Sequence, residues 1–244
     1  MSVIDRIFKR KSEKDIYCSA VIVSAGTAQR MGKDKILMNI GDAPVIAHTL
    51  KTFQKSEFIN EIIVVTKSES LQEIADICNN YGITKTSKVI EGGKTRAESA
   101  LIGVYSVSEN ASLIAIHDGA RPLITEKLIE RVVSCARESH AAAPAVSATD
   151  TVRLINEKGV VTSTPDRDSV AMIQTPQVFT AELIKAALYK AVEKNSKITD
   201  DCSAVEALGY KITVVAGEQD NIKLTSPKDV FLAECILADR RERE

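Results

Sequence analysis

The sequence predicts an α/β fold with a mostly parallel sheet and one projecting hairpin. Three observations support this prediction. Short runs rich in β-branched residues alternate with amphipathic segments of helical period, as in consecutive strand–helix units. Loops marked by glycine, proline or threonine follow the predicted strands. Residues 150–164 instead alternate polar and β-branched residues around Glu157-Lys-Gly159, which indicates a hairpin.

The chain is long enough to bury one large core. Its 244 residues are 44% hydrophobic, and we expect a single domain over residues 17–244, preceded by a basic tail over residues 1–16. That tail carries five Lys and Arg residues and only a short, interrupted apolar run, so we do not expect a signal peptide. No stretch reaches the roughly 18 apolar residues that a membrane span needs, so we expect no membrane partner.

Charge and cysteine content argue against several classes of function. The formal net charge of −1 provides no basic field for binding nucleic acid. Five cysteines occur without a C-x-x-C pair, which favours reduced thiols and a cytoplasmic protein over a disulfide or zinc framework. No G-x-S-x-G sequence occurs, so covalent catalysis by a serine nucleophile is not indicated.

The first predicted strand, residues 20–23, runs into a loop that contains Gly26 and ends at Arg30, with Lys35 just beyond it. Glycine and alanine let the backbone approach a ligand closely, and N–H groups at such a turn can bind phosphate oxygens that the two cations neutralise. The loop matches neither the dinucleotide fingerprint nor the P-loop, because position 28 is alanine and no Gly-Lys-Ser/Thr follows. The pattern favours a phosphate loop of another kind, and an ordinary strand-to-helix turn is the alternative.

The rest of the chain continues the alternation. A second glycine-rich loop, residues 91–96, opens a helix after Val89 and Ile90, and Thr180 is a candidate N-cap. The predicted strands are 59–65, 113–116, 141–146 and 211–215, and the predicted helices are 45–53, 71–81, 97–106, 128–139, 180–192, 202–208 and 227–238.

Several cations lie in the loops that follow predicted strands. These are Arg30, Lys35, Arg96, Arg121 and Lys223, with Arg153 and Arg167 on or near the hairpin. Asp118 also follows a strand, at the edge where parallel sheets bind ligands. A reaction between two phosphorylated substrates needs such cations and a metal, for which Asp118 would be the ligand. The alternatives for Asp118 are a helix N-cap or an ion pair with Arg121, and His117 is interpreted as a packing or hydrogen-bonded residue.

An ordered series of motifs carries a family resemblance. The series SAGTAQRMG, EGGKTRAESA, IHDGARP, ATDTVR, QTPQ, TDDCSAVEALG and NIKLTSPKD resembles the 2-C-methyl-D-erythritol 4-phosphate cytidylyltransferases over residues 17–240. The resemblance implies a Rossmann-like, mostly parallel twisted sheet with helices on both faces and a projecting β-arm, residues 147–170. It also implies a homodimer formed through that arm, and a reaction of CTP with Mg²⁺ in non-mevalonate isoprenoid biosynthesis.

The resemblance further implies roles for single residues. The catalytic cations would be Arg30, Lys35 and Lys223. The nucleotide would be bound by Ala25, Gly26, Gly92, Arg96, Ser99 and Asp118, with Asp118 also close to the metal. The second substrate would be bound by Arg121, Thr151, Arg167 and Thr175, with Thr151 and Arg167 reaching in from the partner's arm.

The chain departs from the family's usual pattern around Lys35. A glycine, a proline and a glutamine are missing there, and Gly119 replaces the more usual alanine. Two alternative functions therefore stay open. One is a ribitol-5-phosphate or other polyol-phosphate cytidylyltransferase of the same fold, and the other is a non-catalytic nucleotide-binding protein.

Overall fold

A computed structural model describes residues 16–26 and 35–243 of the chain. Its strands are β1 (Cys18–Val23), β2 (Asn39–Ile40), β3 (Ala43–Pro44), β4 (Glu61–Thr66), β5 (Thr86–Glu91), β6 (Leu113–Asp118), β7 (Ala141–Ser147), β8 (Leu154–Ile155), β9 (Val161–Ser163), β10 (Ala171–Ile173), β11 (Gln177–Thr180) and β12 (Thr213–Ala216). Its helices are α1 (Val45–Lys55), α2 (Leu71–Asn80), α3 (Arg96–Ser106), α4 (Glu126–Ser139), α5 (Ala181–Glu193), α6 (Asp201–Glu206) and α7 (Pro227–Glu242).

The central sheet has eight strands and is mostly parallel, as predicted. Its order is β10-β7-β11-β6-β1-β4-β5, and β12 pairs with β7. Strands β6, β1, β4 and β5 pair in parallel, whereas β10 and β11 run antiparallel to their neighbours. In the register of β1 and β6, Val23 lies opposite Asp118. The carboxyl ends of these two strands therefore lie side by side.

Helices cover both faces of this sheet. Alternate residues of β1 belong to different core clusters, because successive side chains of a strand point to opposite faces. Ile22 packs in a cluster with Phe53 of α1 and Leu128 of α4. Val21 packs in the other cluster, with Val104 of α3 and Leu188 of α5. Burial on both faces explains why the central strands consist of continuous apolar runs.

Strands β2, β3, β5, β10 and β11 were not predicted, and for β5 and β11 the sequence shows the physical reason. In β5 only Val89 and Ile90 indicated a strand, since this edge strand is partly exposed along its length. Strand β11 begins with a polar residue, Gln177, and offers only Val178 and Phe179 as an apolar signal before helix α5. Strand β6 also extends beyond its predicted end and includes His117 and Asp118.

The predicted hairpin is present as β8 and β9, paired antiparallel with Leu154 opposite Ser163. Its turn places Gly159 at φ +75°, a conformation that favours glycine. The hairpin exposes apolar side chains, among them Ile155 with 64% of its surface accessible. None of the helices in the described parts of the chain is long and apolar enough to cross a membrane. Residues 1–15 of the predicted basic tail lie outside the described residues.

Candidate functional site

A cavity of about 250 Å³ opens at the carboxyl ends of β1 and β6. It is lined by Val23, Ser24, Ala25, Gly26, Lys35, Ile36, Gly93, Lys94, Thr95, Arg96, Ser99, Asp118, Ala120 and Lys223. These residues come from four segments that are far apart in sequence. The cavity thus brings together Ala25, Gly26, Arg96, Ser99 and Asp118, to which the resemblance gave nucleotide-binding roles, and Lys35 and Lys223, to which it gave catalytic roles.

Asp118 lies at the centre of the charged groups of the cavity. Its Oδ2 is 2.7 Å from Lys223 Nζ and 3.8 Å from Arg121 Nε, and its Oδ1 is 3.4 Å from Arg96 Nη2. Burial alone would raise the pKa of Asp118, but the charges of Arg96, Lys223 and Arg121 outweigh it and hold the pKa well below its ordinary value. Asp118 is therefore an ionised carboxylate with three cations, of which Arg121 had been predicted as an ion-pair partner.

Hydrogen bonds at the end of β6 fix the position of Asp118. Its backbone N–H donates to Thr175 Oγ1 over 3.1 Å, and that hydroxyl lies 3.0 Å from His117 Nδ1. The other ring nitrogen, His117 Nε2, lies 3.2 Å from the Arg121 carbonyl oxygen. Burial lowers the pKa of His117 to about 4, so the ring is neutral at pH 7. These contacts agree with the interpretation of His117 as a hydrogen-bonded packing residue.

The segment 221–225 contains one predicted cation, Lys223, and binds two others, Lys35 and Arg121. Lys223 carries its ammonium to Asp118, and the next residue, Leu224, accepts a hydrogen bond from Lys35 Nζ at 2.9 Å through its carbonyl oxygen. Leu224 N–H in turn donates to the Ala120 carbonyl. Arg121 Nη1 donates to the Asn221 carbonyl at 2.6 Å, so Arg121 is the third cation at this segment. Arg30 lies in residues 27–34, outside the described residues, so its role stays a prediction.

The second glycine-rich loop packs against the first loop. A Cβ atom at Gly92 would lie 2.7 Å from both Ala25 Cβ and Ser99 Oγ, so this contact requires glycine. Ser99 Oγ donates to the Thr95 carbonyl at 2.9 Å and accepts from Gly93 N–H at 3.1 Å. Gly92 itself lies behind the lining of the cavity, whereas Gly93 and Ser99 belong to that lining.

Gly119 makes a similarly close contact with the first loop. A Cβ atom there would lie 2.1 Å from Ser24 Oγ, which is far inside van der Waals distance. A Cβ atom there would also lie 2.9 Å from Ile46 Cδ1, so a larger residue at position 119 requires a shift of both neighbouring side chains.

Sequence reasoning missed one residue of the site. Asp201, the first residue of α6, is fully buried and accepts two hydrogen bonds from Arg96: Nη1 to Oδ1 at 2.9 Å and Nη2 to Oδ2 at 2.8 Å. In the sequence, Asp200 and Asp201 lie just before the predicted helix 202–208, within the motif TDDCSAVEALG, and neither was given a role. In the structure Asp200 forms the N-cap, in a capping box with Ser203. The available signal was a second carboxylate, Asp201, directly after the capping carboxylate of Asp200, because a helix start needs only one of them as its cap.

The structure of the single chain does not bring the predicted arm residues to the cavity. Thr151 is exposed, and Arg167 donates to the carbonyls of Ala148 and Thr149 at the base of the arm. Arg153 donates to Thr164 within the hairpin. Thr175 is buried behind Asp118 and does not line the cavity either.

The described residues contain no group of three or more His, Cys, Asp or Glu side chains arranged to hold a metal ion. Asp118 is the acidic residue among those that line the cavity. At the cavity, the protein would thus offer a metal ion one carboxylate ligand, that of Asp118.

Comparisons with known proteins agree on one family. The family model described as 2-C-methyl-D-erythritol 4-phosphate cytidylyltransferase matches residues 18–239. The enzyme of that name from Alkaliphilus oremlandii is 41% identical over 227 residues, which cover 92% of this chain and 96% of the relative. The enzyme of that name from Halalkalibacterium halodurans is 39% identical over 227 residues, covering 92% of this chain and 99% of the relative.

A solved structure supports the same grouping. The crystal structure of 4-diphosphocytidyl-2C-methyl-D-erythritol synthase from Anaerococcus prevotii superposes with a TM-score of 0.84 at 33% identity, covering 92% of this chain and 97% of that one. The match of the family model over nearly the whole chain, the two relatives and this superposition lead to one conclusion: the chain belongs to the 2-C-methyl-D-erythritol 4-phosphate cytidylyltransferase family.

Proposed function

We propose that this chain joins CTP and 2-C-methyl-D-erythritol 4-phosphate to give 4-diphosphocytidyl-2-C-methyl-D-erythritol and pyrophosphate. The observation that carries the proposal is the cavity at the carboxyl end of the sheet, which Lys35, Arg96, Lys223 and Asp118 line together in a chain of this family. A phosphate oxygen of the acceptor forms a bond to the α-phosphorus of CTP. The bond from that phosphorus to the bridging oxygen of the β-phosphate breaks, and pyrophosphate leaves.

The side chains act by binding and by electrostatic stabilisation. Lys35 and Arg30 neutralise the phosphates of CTP, with the backbone of Ala25 and Gly26 against them, and Lys223 stabilises the charge that develops between the two substrates. The base is bound at the loop formed by Gly92, Arg96 and Ser99. Arg121, together with Thr151 and Arg167 of a second subunit, binds the acceptor, and Thr175 contributes by holding the backbone of Asp118. No protein nucleophile takes part.

A divalent cation, Mg²⁺, fits the donor set. Magnesium is commonly held by one or two carboxylates together with substrate phosphates, and Asp118 offers one ionised carboxylate at the cavity. Bound there, the ion supplies positive charge to the phosphates of CTP. Asp118 would hold it and at the same time orient Lys223, which lies 2.7 Å away.

The arm is proposed to form a homodimer. An isolated two-stranded hairpin is only marginally stable in water, and β8 and β9 expose Leu154, Ile155 and Val161. A twofold pairing would cover these side chains and could bring Thr151 and Arg167 to the neighbour's cavity. Mixing inactive Lys35→Ala subunits with inactive Arg167→Ala subunits should then restore part of the activity. A monomer by light scattering, or no recovery after verified subunit exchange, would contradict this arrangement.

The reaction is tested by measuring pyrophosphate release from CTP and Mg²⁺ with and without 2-C-methyl-D-erythritol 4-phosphate. Release that depends on this acceptor is the expected result. Ribitol 5-phosphate is the matched competitor, since a site built for one pattern of hydroxyl groups leaves polar groups unpaired with the other. A higher kcat/KM for ribitol 5-phosphate would support a ribitol-5-phosphate cytidylyltransferase instead. CTP binding without turnover of any acceptor would support a non-catalytic nucleotide-binding protein.

A further inference from the structure

Arg96 lies between two carboxylates, and its contacts with them differ. Both terminal nitrogens donate to Asp201 at 2.8 and 2.9 Å, whereas the distances from Arg96 to Asp118 Oδ1 are 3.4 Å. Paired, nearly parallel hydrogen bonds to an ionised carboxylate are the strong kind and fix the plane of a guanidinium. Asp201 therefore determines where the Arg96 guanidinium lies.

Asp201 is itself held by the sheet through a single side chain. Gln177, the first residue of β11, donates from Nε2 to Asp200 Oδ2 at 2.7 Å and accepts from Cys202 N–H at 2.9 Å through Oε1. Both neighbours of Asp201 are thus attached to the same buried glutamine. This attachment fixes the first turn of the short helix α6 against the edge of the cavity.

The two oxygens of Asp118 face different kinds of cation. Oδ2 faces Lys223 and Arg121, which have no other carboxylate within ion-pair distance among the described residues. Oδ1 faces Arg96, whose charge is balanced by Asp201. Burial raises the pKa of Asp201, whereas the charge and hydrogen bonds of Arg96 act to lower that pKa. Asp201 accepts two short hydrogen bonds from one guanidinium, which is the geometry of an ionised carboxylate.

A guanidinium paired in this way is a nearly neutral hydrogen-bond donor. It suits uncharged acceptors such as the oxygens of a base or a ribose, and it has less attraction for a phosphate than Lys223 or Lys35 has. The cavity is therefore polarised, with a neutral donor at the Arg96 side and surplus positive charge at the Lys223 side.

We propose that Asp201 is a positioning residue for nucleotide recognition, which balances the charge of Arg96 and fixes its guanidinium to receive the nucleoside part of CTP. This inference rests on the proposed function, because it takes CTP as the occupant of the cavity. Gln177 acts through Asp201 by holding the first turn of α6.

The test compares CTP with pyrophosphate, which has charge but no nucleoside. In Asp201→Asn, the KM for CTP should rise about 10- to 100-fold, as for loss of a charged hydrogen bond. The inhibition constant of pyrophosphate should stay the same or fall, because the charge of Arg96 is no longer balanced by Asp201. The KM of the acceptor and kcat at saturating CTP should each stay within about twofold. An equal loss of affinity for CTP and pyrophosphate would overturn the proposal, as would an unchanged KM for CTP.

Two further variants separate positioning from a merely structural role. Ser203→Ala removes hydrogen bonds within the cap of α6 but leaves the attachment of the turn to Gln177 intact, so it should lower the Tm and leave the KM for CTP unchanged. Adding Asp201→Asn to Arg96→Met should raise the KM for CTP no further, because there is no guanidinium left to position. A raised KM in Ser203→Ala, or additive effects in the double variant, would contradict the inference.

If Asp201→Asn does not fold, Gln177→Met provides the same test. This change keeps the volume of the side chain and removes both hydrogen bonds to the turn, so a rise of about threefold to tenfold in the KM for CTP is expected, with pyrophosphate unaffected. Failure of the proposed function would be seen separately, as wild-type protein that releases no pyrophosphate. Calorimetric binding of CTP and of pyrophosphate to the variants still tests the role of Asp201 in that case.

Discussion

Two buried carboxylates lie at opposite ends of the same sheet, in surroundings of different charge. Glu61, at the amino end of β4, accepts hydrogen bonds from Ser19 at 2.6 Å, from Ser87 at 2.7 Å and from the Ser108 backbone N–H at 2.8 Å. Asp118, at the carboxyl end of β6, faces three cations. Burial would raise the pKa of either group, yet hydrogen bonds lower that of Glu61 and cations lower that of Asp118.

The difference separates a structural site from a binding site. Hydroxyl and amide donors form hydrogen bonds with the Glu61 carboxylate and so connect β1, β4, β5 and the segment before β6. None of these three donors carries a positive charge. Around Asp118 the positive charge exceeds the negative charge, even after Arg96 is paired with Asp201. Such an excess is unfavourable in the free protein and is relieved by an anionic ligand. Substitutions at the two ends should therefore change different properties.

The largest effect is expected from removing cations at the carboxyl end. Lys35→Ala and Lys223→Ala should each lower turnover about 100- to 1,000-fold, the usual cost of losing one donor that stabilises the transition state. Steady-state pyrophosphate release measures this. Lys228→Ala, an exposed lysine five residues beyond Lys223, is the matched control and should have normal turnover. Normal turnover in Lys35→Ala or Lys223→Ala would remove that lysine from the proposed mechanism.

Replacing Asp118 should affect stability in a way that depends on ligand. Asp118→Asn leaves Arg121 and Lys223 buried or half-buried without their counter-charge, which we expect to cost about 2–3 kcal/mol in the free energy of unfolding. Pyrophosphate should raise the Tm of this variant more than that of the wild type, because the anion replaces the missing charge. Equal Tm shifts in both proteins would show that the cation surplus is not what binds the anion.

At the amino end, Glu61→Gln should lower stability without changing catalysis. The substitution replaces one carboxylate oxygen, which accepts hydrogen bonds, by an amide group that would face other donors. We therefore expect the free energy of unfolding to fall by about 1–2 kcal/mol. That corresponds to a Tm lower by about 2–8 °C for a chain of this size. The kcat and both KM values should match the wild type. A changed KM for CTP would mean that the two ends of the sheet are coupled.

A smaller effect concerns acidic pH. The pKa of Glu61 is lowered in the folded protein, so its ionised form contributes stability above the unfolded value, about 4.3, and that contribution disappears as pH falls through the folded pKa. The stability difference between wild type and Glu61→Gln should therefore be constant near neutral pH and shrink below about pH 4. Urea titrations at pH 7 and pH 3.5 would measure it. A difference that grows in acid would contradict the assigned direction.

Much of the carboxyl end could be predicted from the sequence, and little of the amino end. Lys35, Arg96, Asp118 and Lys223 lie next to glycine-rich or strand-end motifs, and the parallel sheet brings strand ends together. Glu61 lies inside an apolar run with no motif around it, and its donors come from distant segments. The role of such a residue becomes visible only when the tertiary structure shows its hydrogen-bond partners.

The same reasoning explains the other differences. Asp201 was missed because its neighbour Asp200 already accounted for an acidic residue at a helix start. Strand β5 lacked a continuous apolar run because it forms an edge of the sheet. Thr175 belonged to a recognised motif, but no sequence pattern could indicate that its hydroxyl faces His117 and the backbone of Asp118.

The contact between Ser24 and Gly119 restricts the order in which this site can change during evolution. Alanine at position 119 would place a methyl group 2.1 Å from the serine hydroxyl, at the point where β1 and β6 end together. Exchange of glycine for alanine here therefore requires that the Ser24 hydroxyl turns away or that Ser24 is replaced by a smaller residue. Gly119→Ala alone should lower the Tm, and Ser24→Ala with Gly119→Ala should recover part of the loss, since Ile46 Cδ1 would still lie 2.9 Å from the new methyl group. Residues 24 and 119 are thus expected to vary together among descendants of this protein, because their side chains occupy the same space.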